Sequence, residues 1–443
     1  MRPKLHEASE TTARMKILVV GNGGREHALA RKLRQSPLLT ELFCAPGNAG
    51  MAAEGDLVPI ETSNIVELAD FAQTIGADLT VVGPELPMVL GIADEFQRRG
   101  LSIFCPSRAA AEIEGSKAFA REFMQRHNIP SPRFEICTSP EAAQDFVMRS
   151  PFGYPLVIKA DGLASGKGTL IAHDKAEARA AVTQMMMDKR FGTAGAKVVM
   201  EEFLDGDEVS FLVFSDGSRV VPMVSAQDHK RLLDGDQGPN TGGMGAVSPS
   251  TSLSLDVHKQ ILQDVILPTI KGMGDEGRKY QGVLYAGLMI TAQGPKVLEY
   301  NARFGDPETQ VIMARMRSDL VPLLQGVADG NLKETKVEWA KEAAVCVVLA
   351  SRGYPDGVET GKPVEGLDEL QGLEDVAVYH AATTAREGQV VTVGGRVLGV
   401  TALGPTLDAA VQRVYEVVPQ IAFEGMQYRK DIGQKALARL HAR

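Results

Sequence analysis

The chain has 443 residues, enough for about three domains at about 150 residues each. Apolar residues make up 44% and charged residues 23%, the balance of a globular chain rather than a disordered or fibrous one. The net charge of −9 argues against nucleic acid as the main partner, and no apolar run, Ala343 to Ala350 included, approaches the ~18 residues of a membrane span.

Residues 1–14 lack an apolar core or a cleavage-like site and carry Glu7 and Glu10, so neither a secretory signal nor a transit peptide is expected. A disordered extension is, with Met15 as an alternative start. Cys44, Cys105, Cys137 and Cys346 are scattered with no metal-like spacing, which suits small buried hydrophobes in a reducing compartment. Met15 to Gly21 is a continuous apolar run, typical of a buried parallel strand. The Gly-rich stretch Gly21-Asn22-Gly23-Gly24-Arg25-Glu26-His27 follows, then a helix over Ala28 to Leu33. Strands at Leu42 to Ala45, Leu79 to Val82 and Ser102 to Cys105 alternate with helices at Val66 to Ile75 and Met88 to Arg98. That alternation predicts a parallel, doubly wound sheet. The Gly-rich loop departs from the dinucleotide fingerprint, with Glu26 in the third glycine's place and no acid ending the second strand. A small phosphorylated ligand suits it better, and the loops at Pro46 to Gly50 and Gly83 to Glu85 sit where such sheets bind ligands or simply turn.

Lys117 to His127 reads as a helix, and Pro155 to Asp161 as a strand carrying Lys159. Gly162 to Gly168 (G-L-A-S-G-K-G) joins it to a second strand, Thr169 to Ala172. The loop does not open a helix and is no Walker-type P-loop, yet its N–H groups and lysine suit a flap over phosphates. Lys175 to Met187 is predicted helical, with Met185 to Met187 packing core, and Val198 to Leu204 extended. A hairpin turns at Asp216-Gly217. Asp228 to Gly245 is too long for a mere connection; Lys230 and Arg231 could hold phosphates, whereas His229 alone reads as structural. Asp256 to Met273 is a helix, and Gly282 to Ile290 a strand pairing with Lys296 to Tyr300. On that strand Glu299 and Asn301 share a face, followed by Arg303. Two hard oxygen donors and a fixed cation suit a metal-bound polyphosphate, although the same pattern describes a charged strand face. Asp306 and Glu308 have no assigned role beyond bracing the loop.

Beyond a charged hinge at Lys336 to Lys341, strands at Ala343 to Ala350, Ala377 to Ala382, Val390 to Val393 and Arg396 to Leu403 form a small antiparallel sheet. Gly394-Gly395 reads as a tight hairpin turn, and Leu407 to Ile421 as the amphipathic covering helix. Arg396 reads as a solvated charge rather than a substrate contact.

With these stretches in order, the chain resembles the ATP-grasp superfamily, and the phosphoribosylamine–glycine ligase family within it, from Met15 to about Gly433. I-K-A-D-G-L-A-S-G-K-G, E-E-F-L-D-G, D-H-K-R, G-P-N-T-G-G-M-G and N-A-R-F-G-D-P-E-T-Q carry the likeness. The resemblance implies an α/β and α+β multidomain fold: an N-terminal parallel doubly wound sheet for substrate (15–115), a two-lobed ATP-grasp core (116–330, lid lobe about 130–205) and a C-terminal antiparallel-sheet domain (335–435). It implies ATP-dependent ligation of glycine to 5-phosphoribosylamine through glycyl phosphate, the alternative being another ATP-grasp ligase or carboxylase on a purine intermediate. Arg303, Lys159 and Lys167 would be catalytic. Lys117, Gly166, Gly168, Glu201, Glu202, Phe203, Leu204, Glu208, Lys230 and Asn240 would join Lys159 and Lys167 in holding ATP. Gly21, Asn22, Gly23, Gly24, Asn48, Glu85 and Asp228, with Arg303, would hold the other substrates, and Glu299 and Asn301 the Mg²⁺ or Mn²⁺. One departure is that Tyr285 to Ile290 lacks the second metal carboxylate common in the superfamily. Small molecules are then the only partners expected of a cytoplasmic monomer, with no nucleic acid and no membrane.

Overall fold

The computed structural model describes residues 14–163, 168–188, 195–333 and 336–442. Residues 1–13 of the expected extension, together with Gly166 and Lys167 of the flap, lie outside them.

Met15–Gly21 is the central strand of a five-stranded parallel sheet, in the order Asp56–Leu57, Leu39–Pro46, Met15–Gly21, Leu79–Val82, Ile103–Phe104. Ile17, Leu18, Val19 and Val20 are fully buried, as a strand covered on both faces must be. The chain reverses its winding between Met15–Gly21 and Leu79–Val82, so the loops after these two strands flank the crevice where such sheets take ligands. The first helix starts at Gly24 rather than Ala28 because the Glu26 carboxylate accepts from Gly23 N–H at 2.6 Å and caps it. Glu85 opens a helix, Glu85–Leu90, and Gly91 at φ 93° separates it from Ile92–Arg98. The predicted single helix is therefore two.

The middle of the chain forms two antiparallel sheets with separate cores. The smaller runs Phe134–Cys137, Val198–Glu202, Leu156–Ala160, Thr169–Ala172, over a cluster including Phe146, Ile158, Val182 and Met185. Met185 is buried, as expected, while Met187 at the end of the same run is exposed. The larger sheet runs Val220–Pro222, Asp207–Asp216, Gln281–Thr291, Gly294–Asn301. Its register sets Gly287 opposite Glu299 and Tyr285 opposite Asn301. No helix among the described residues is long and apolar enough to cross a membrane, and all four cysteines are buried and free.

The C-terminal antiparallel sheet differs from the predicted one in its membership. The two ends of the long loop join it: Gln227–Asp228 pairs with Gly245–Ser248, which pairs onto Ala343–Ala350, and the sheet continues to Arg396–Gly404 and Val376–His380. Between those ends lies a small hairpin, Arg231–Leu233 with Gln237–Asn240, so the loop is less irregular than its composition suggests. Gly394-Gly395 is not a hairpin turn. Gln389–Thr392 pairs backward with Thr383–Arg386, around Glu387 and Gly388 at φ 49° and 80°, the two positive values that a tight twisted hairpin requires. Gly395 instead lies under the Tyr354 ring, where a Cβ would come within 2.3 Å of it. The helix Leu407–Val417 buries Leu407, Ala410, Val411, Val414 and Val417 on the sheet, with the predicted spacing.

The expected hinge is pinned. Trp339 bridges to Met316, Arg317 N–H donates to Glu338 O at 2.9 Å, and Ala340 N–H donates to Arg315 O at 2.6 Å. The Arg315 side chain, 6% exposed, donates to Glu342 O, Ala340 O and Ser248 Oγ at 2.8, 3.1 and 2.8 Å. A charged sequence marks a surface segment but not a free one. Arg315→Leu, which removes these donors, should destabilise the fold by ~1–3 kcal/mol. Urea unfolding would measure that loss, and amide exchange should quicken at residues 338–342.

Candidate active site

A cleft of about 910 Å³ opens between the two antiparallel sheets and reaches the Gly-rich loop and the C-terminal domain. Of the residues predicted from sequence it gathers Asn22, Gly23, Glu85, Lys117, Lys159, Gly168, Glu201, Glu202, Phe203, Leu204, Glu208, Asp228, Lys230, Asn240, Glu299, Asn301 and Arg303. These positions come from most of the chain's length, so convergence rather than any one motif defines the site.

Three of the predicted residues that the structure describes do not line it. Asn48 is buried, donates to Asn22 O and His380 O at 2.9 and 2.8 Å, and accepts from Gly50 and Met51 N–H; it holds the Gly-rich loop against the C-terminal domain instead of facing the cleft. Gly21 and Gly24 lie behind the loop surface, where an added Cβ would meet Glu26 Cγ at 2.4 Å and Gln310 Nε2 at 2.6 Å respectively. Because Glu26 occupies Gly23 N–H, the loop's third-glycine departure is explained: the side chain caps the helix from within.

On the larger sheet, Glu299 and Asn301 project from one face of Gly294–Asn301. Lys230 Nζ lies 3.0 Å from Glu299 Oε1. Lys230 foremost, then Lys159 and Lys117, hold the Glu299 carboxyl well below the usual range in spite of burial. Lys230, predicted on phosphates, therefore balances the predicted metal carboxylate. The donor set fits a hard divalent ion: an ionised carboxylate and an amide oxygen, both oxygen ligands, on one strand face. No cluster of three or more His, Cys, Asp or Glu stands ready among the described residues, as suits an ion whose remaining ligands come from phosphate oxygens and water.

On the smaller sheet, Lys159 Nζ lies 2.9 Å from Glu201 Oε2 and donates to Leu298 O at 2.9 Å. Arg121 clamps Glu201 at 2.7 and 2.9 Å and donates to Val297 O and Leu298 O at 2.8 and 2.6 Å. Burial would raise the Glu201 carboxyl, but Arg121 and Lys159 bring it below its ordinary value. The Glu201 side chain is thus committed to ion pairs. The strand ends at Glu202, with Phe203 exposed beyond it. Lys117 donates to Gly162 O at 2.9 Å, at the base of the flap. Arg121 was missed from sequence, although its spacing of four from Lys117 puts both on one helical face.

At the far end, Arg303 Nε lies 3.0 Å from Glu85 Oε2, and Nη2 lies 3.1 Å from Glu114 Oε1 and 3.3 Å from Asn301 Oδ1. Burial opposes it, yet Arg303 and Arg25 draw the Glu85 carboxyl down to about 2. Glu114 behaves oppositely: burial pushes it up to about 7, with Glu85 adding to the rise and Arg303 resisting it. Asp306 and Glu308 do brace, as expected. Asp306 takes Gln310 Nε2 at 2.8 Å and Arg396 at 3.3 Å; Glu308 takes Ser210 Oγ and Tyr285 Oη at 2.8 and 2.6 Å. Arg396 is not a solvated charge. It lines the cleft and donates to Gly242 O and Asp306 O at 2.8 and 2.7 Å, and Tyr354 Oη accepts from Gly242 N–H at 2.9 Å. Asp228, next to Gly243, is pushed well above the ordinary range by burial and then by Glu308. Gly243 sits at φ 117°, where a Cβ would meet Asp228 Oδ1 at 2.7 Å. His229 is structural, accepting from Gly433 N–H and contacting Gly245 O, and burial pushes it down to about 4. Arg25 lies within the Gly-rich stretch, whereas none of Glu114, Tyr285 or Tyr354 carries a local sequence signal for the cleft.

A lysine-bearing sheet folded over a strand edge of Glu, Asn and Arg is the arrangement of an ATP-grasp enzyme. Biotin carboxylase domains of known structure share the fold: that of *Hydrogenobacter thermophilus* 2-oxoglutarate carboxylase aligns over 94% of this chain and 92% of its own, with a TM-score of 0.73 and 16% identity. Family models for phosphoribosylglycinamide synthetase match in three parts, the N domain at 15–114, the ATP-grasp (A) domain at 115–309 and the C domain at 344–435. The chain belongs to that family. It is 52% identical over 429 residues to the phosphoribosylamine–glycine ligase of *Yersinia pestis*, covering 96% of this chain and 100% of the relative, and 50% identical to that of *Pseudomonas aeruginosa*, covering 96% and 99%. The crystal structure of the *Thermotoga maritima* phosphoribosylamine–glycine ligase superposes with a TM-score of 0.82 at 34% identity, over 94% of this chain and all of the other.

The raised Glu114 carboxyl has a consequence for stability. A carboxyl with a higher folded than unfolded pKa favours the fold while protonated, and the contribution is lost as pH rises from about 4.5 to about 7. Glu114→Gln removes this titration. Its stability relative to the native chain should rise across that window by on the order of 1–3 kcal/mol, read from denaturant midpoints at pH 5, 6, 7 and 8. A constant difference would show that Glu114 does not titrate there.

Proposed function

We propose that the chain ligates glycine to 5-phosphoribosylamine at the expense of ATP, giving glycinamide ribonucleotide, ADP and phosphate in purine biosynthesis. The observation that carries this reading is the convergence in one cleft of Lys159, Lys230 and Arg303 with the Glu299–Asn301 edge, beside the Gly-rich loop of the parallel sheet. Family membership supports the choice of substrates.

A carboxylate is a poor acyl donor because its leaving group is oxide. Transfer of the γ-phosphoryl group to a glycine carboxylate oxygen breaks the bond to ADP and makes glycyl phosphate. The phosphoribosylamine nitrogen then attacks the carbonyl carbon, the carbon–oxygen bond to phosphate breaks, and the nitrogen gives up a proton. Such transfers depend on positioning and charge stabilisation rather than covalent catalysis. We assign Lys117, Lys159, Lys230 and flap residues Gly166, Lys167 and Gly168 to the ATP phosphates. Phe203, Leu204 and the backbone at Glu201-Glu202 line the adenine site, Glu208 faces the ribose, and Asn240 borders the nucleotide. Arg303 neutralises the transferring group where ATP, glycine and amine meet. Asn22, Gly23, Glu85 and Asp228 border the substrate end of the same cleft. Glu299 and Asn301 would hold Mg²⁺ or Mn²⁺. When bound, such an ion offsets phosphate charge as a Lewis acid. The smaller sheet, with a core of its own, closes over the nucleotide and keeps water from the acyl phosphate.

Purified protein given ATP, a divalent ion, glycine and freshly made phosphoribosylamine should release ADP only when all are present, with glycinamide ribonucleotide identified by mass spectrometry. ADP release indifferent to glycine would sink the reading. Glu299→Gln should lower kcat by about 10²-fold or more, since it weakens stabilisation at the transferring group, while isothermal calorimetry finds much of the ATP affinity retained. Unchanged turnover would remove Glu299 from the metal edge.

A further inference from the structure

Glu114 has no part in the chemistry described above, yet it faces the same cleft. It is the penultimate residue of the helix Arg108–Gly115 and only 9% exposed. One carboxylate oxygen, Oε1, lies 3.1 Å from Arg303 Nη2; the other, Oε2, accepts from the Ala302 backbone N–H at 2.6 Å. Glu114 therefore grips both the Arg303 side chain and the peptide immediately before it. Glu85 holds Arg303 Nε at 3.0 Å, and Phe304 O accepts from Nη1 at 3.1 Å.

One guanidinium held by the half-buried Glu85 and the buried Glu114 meets more negative charge than neutralisation requires. Glu85 alone balances Arg303, and a second, buried carboxyl carries a desolvation cost that a neutral side chain would avoid. The excess is explained if the direction of the cation matters more than its charge balance. Without Glu114 the guanidinium keeps Glu85 on Nε and Phe304 O on Nη1, but its Nη2 is left with Asn301 Oδ1 at 3.3 Å alone; Glu114 supplies the charged contact there. The Ala302 contact fixes the strand exit that carries Asn301 and Arg303.

We propose that Glu114 is a positioning residue, which orients the Arg303 guanidinium and the Ala302 peptide so that the cation faces the Glu299–Asn301 edge of the cleft. This rests on Arg303 acting on the transferring group, as assigned above. Its effect reaches the reaction through Arg303 rather than through a substrate or metal contact assigned to Glu114 itself.

A double-mutant cycle on the full chain tests the proposal. Glu114→Gln keeps the volume and can still accept from Ala302 N–H, but its amide cannot serve both contacts as a carboxylate does. It should lower kcat by about 10–100-fold with KM for ATP within about threefold, the pattern of a group felt in the transition state. In an Arg303→Lys background the same change should cost less than about threefold in kcat, because residues acting as a unit are not additive. The melting temperature at pH 8 should be no lower than native, a combination that a merely structural glutamate would not give. Should Glu114→Gln not fold, Glu114→Asp, which withdraws the carboxylate by one methylene, replaces it and should show the same non-additivity. Losses that multiply, or a kcat for Glu114→Gln within twofold of native, overturn the proposal. A native chain that releases no glycine-dependent ADP overturns the reaction and the proposal together; an active native chain with multiplying losses overturns the role of Glu114 alone.

Discussion

The cleft depends on one buried charge cluster, Arg121–Glu201–Lys159, and on what it does with Leu298. Three ionised groups this deep are costly unless each finds a partner. Glu201 takes both cations, and the spare donors of Arg121 and Lys159 converge on the carbonyl of Leu298. That carbonyl belongs to the strand bearing Glu299, whereas Lys159 and Glu201 belong to the smaller sheet. The cluster thus ties one lobe to the other beside the Glu299–Asn301 edge. Removing Glu201 would leave two buried cations facing each other, a larger penalty than the pair's own net worth. The hydrophobic cores place the sheets, but this cluster sets where the two edges meet.

The same economy of charge recurs along the cleft. Lys230 answers Glu299, Glu85 answers Arg303, and Arg396 answers Asp306. Among the described residues, each basic group assigned to a phosphate is held by a carboxylate or carbonyl. Binding a polyphosphate therefore exchanges partners rather than creating ion pairs from solvated groups. Such preorganised dipoles and charges need little rearrangement at the moment of transfer. Glu114 is the exception, a carboxyl beyond what neutralisation demands.

Much of the fold was legible where local pattern determines the outcome. Met15–Gly21, Leu79–Val82, Thr169–Ala172 and Ala343–Ala350 match the predicted strands because their apolar runs end at glycines, charges or turns. Failures came where a distant partner decides. Nothing local says that Gln227–Asp228 and Gly245–Ser248 join the C-terminal sheet, that Gly394-Gly395 yields the turn to Glu387-Gly388, or that Arg315 pins the charged stretch before Ala343. The site divides in the same way. Residues singled out in short motifs, such as Lys159, Lys230, Glu299 and Arg303, line the cleft. Helix residues whose partners lie far away in sequence, Arg121 against Glu201 and Glu114 against Arg303, were not singled out, because helical spacing gives a face but no facing neighbour.

The C-terminal domain is best understood as a wall of the cleft rather than an appendage. Arg396 reaches back to Gly242 and Asp306, Tyr354 holds Gly242 N–H, and Asn48 bridges the Gly-rich loop to His380. The sheet itself borrows the two ends of the loop that carries Asp228 and Lys230. Strand pairing on the far side of Ala343–Ala350 thereby fixes the loop's path, and the loop's path sets the distance from Lys230 to Glu299. A two-lobed nucleotide unit cut away from this sheet would keep its lysines and its Glu–Asn edge but lose the support that brings Lys230 to that edge. The C-terminal sheet, without a catalytic cluster of its own, still determines the geometry of the one it adjoins.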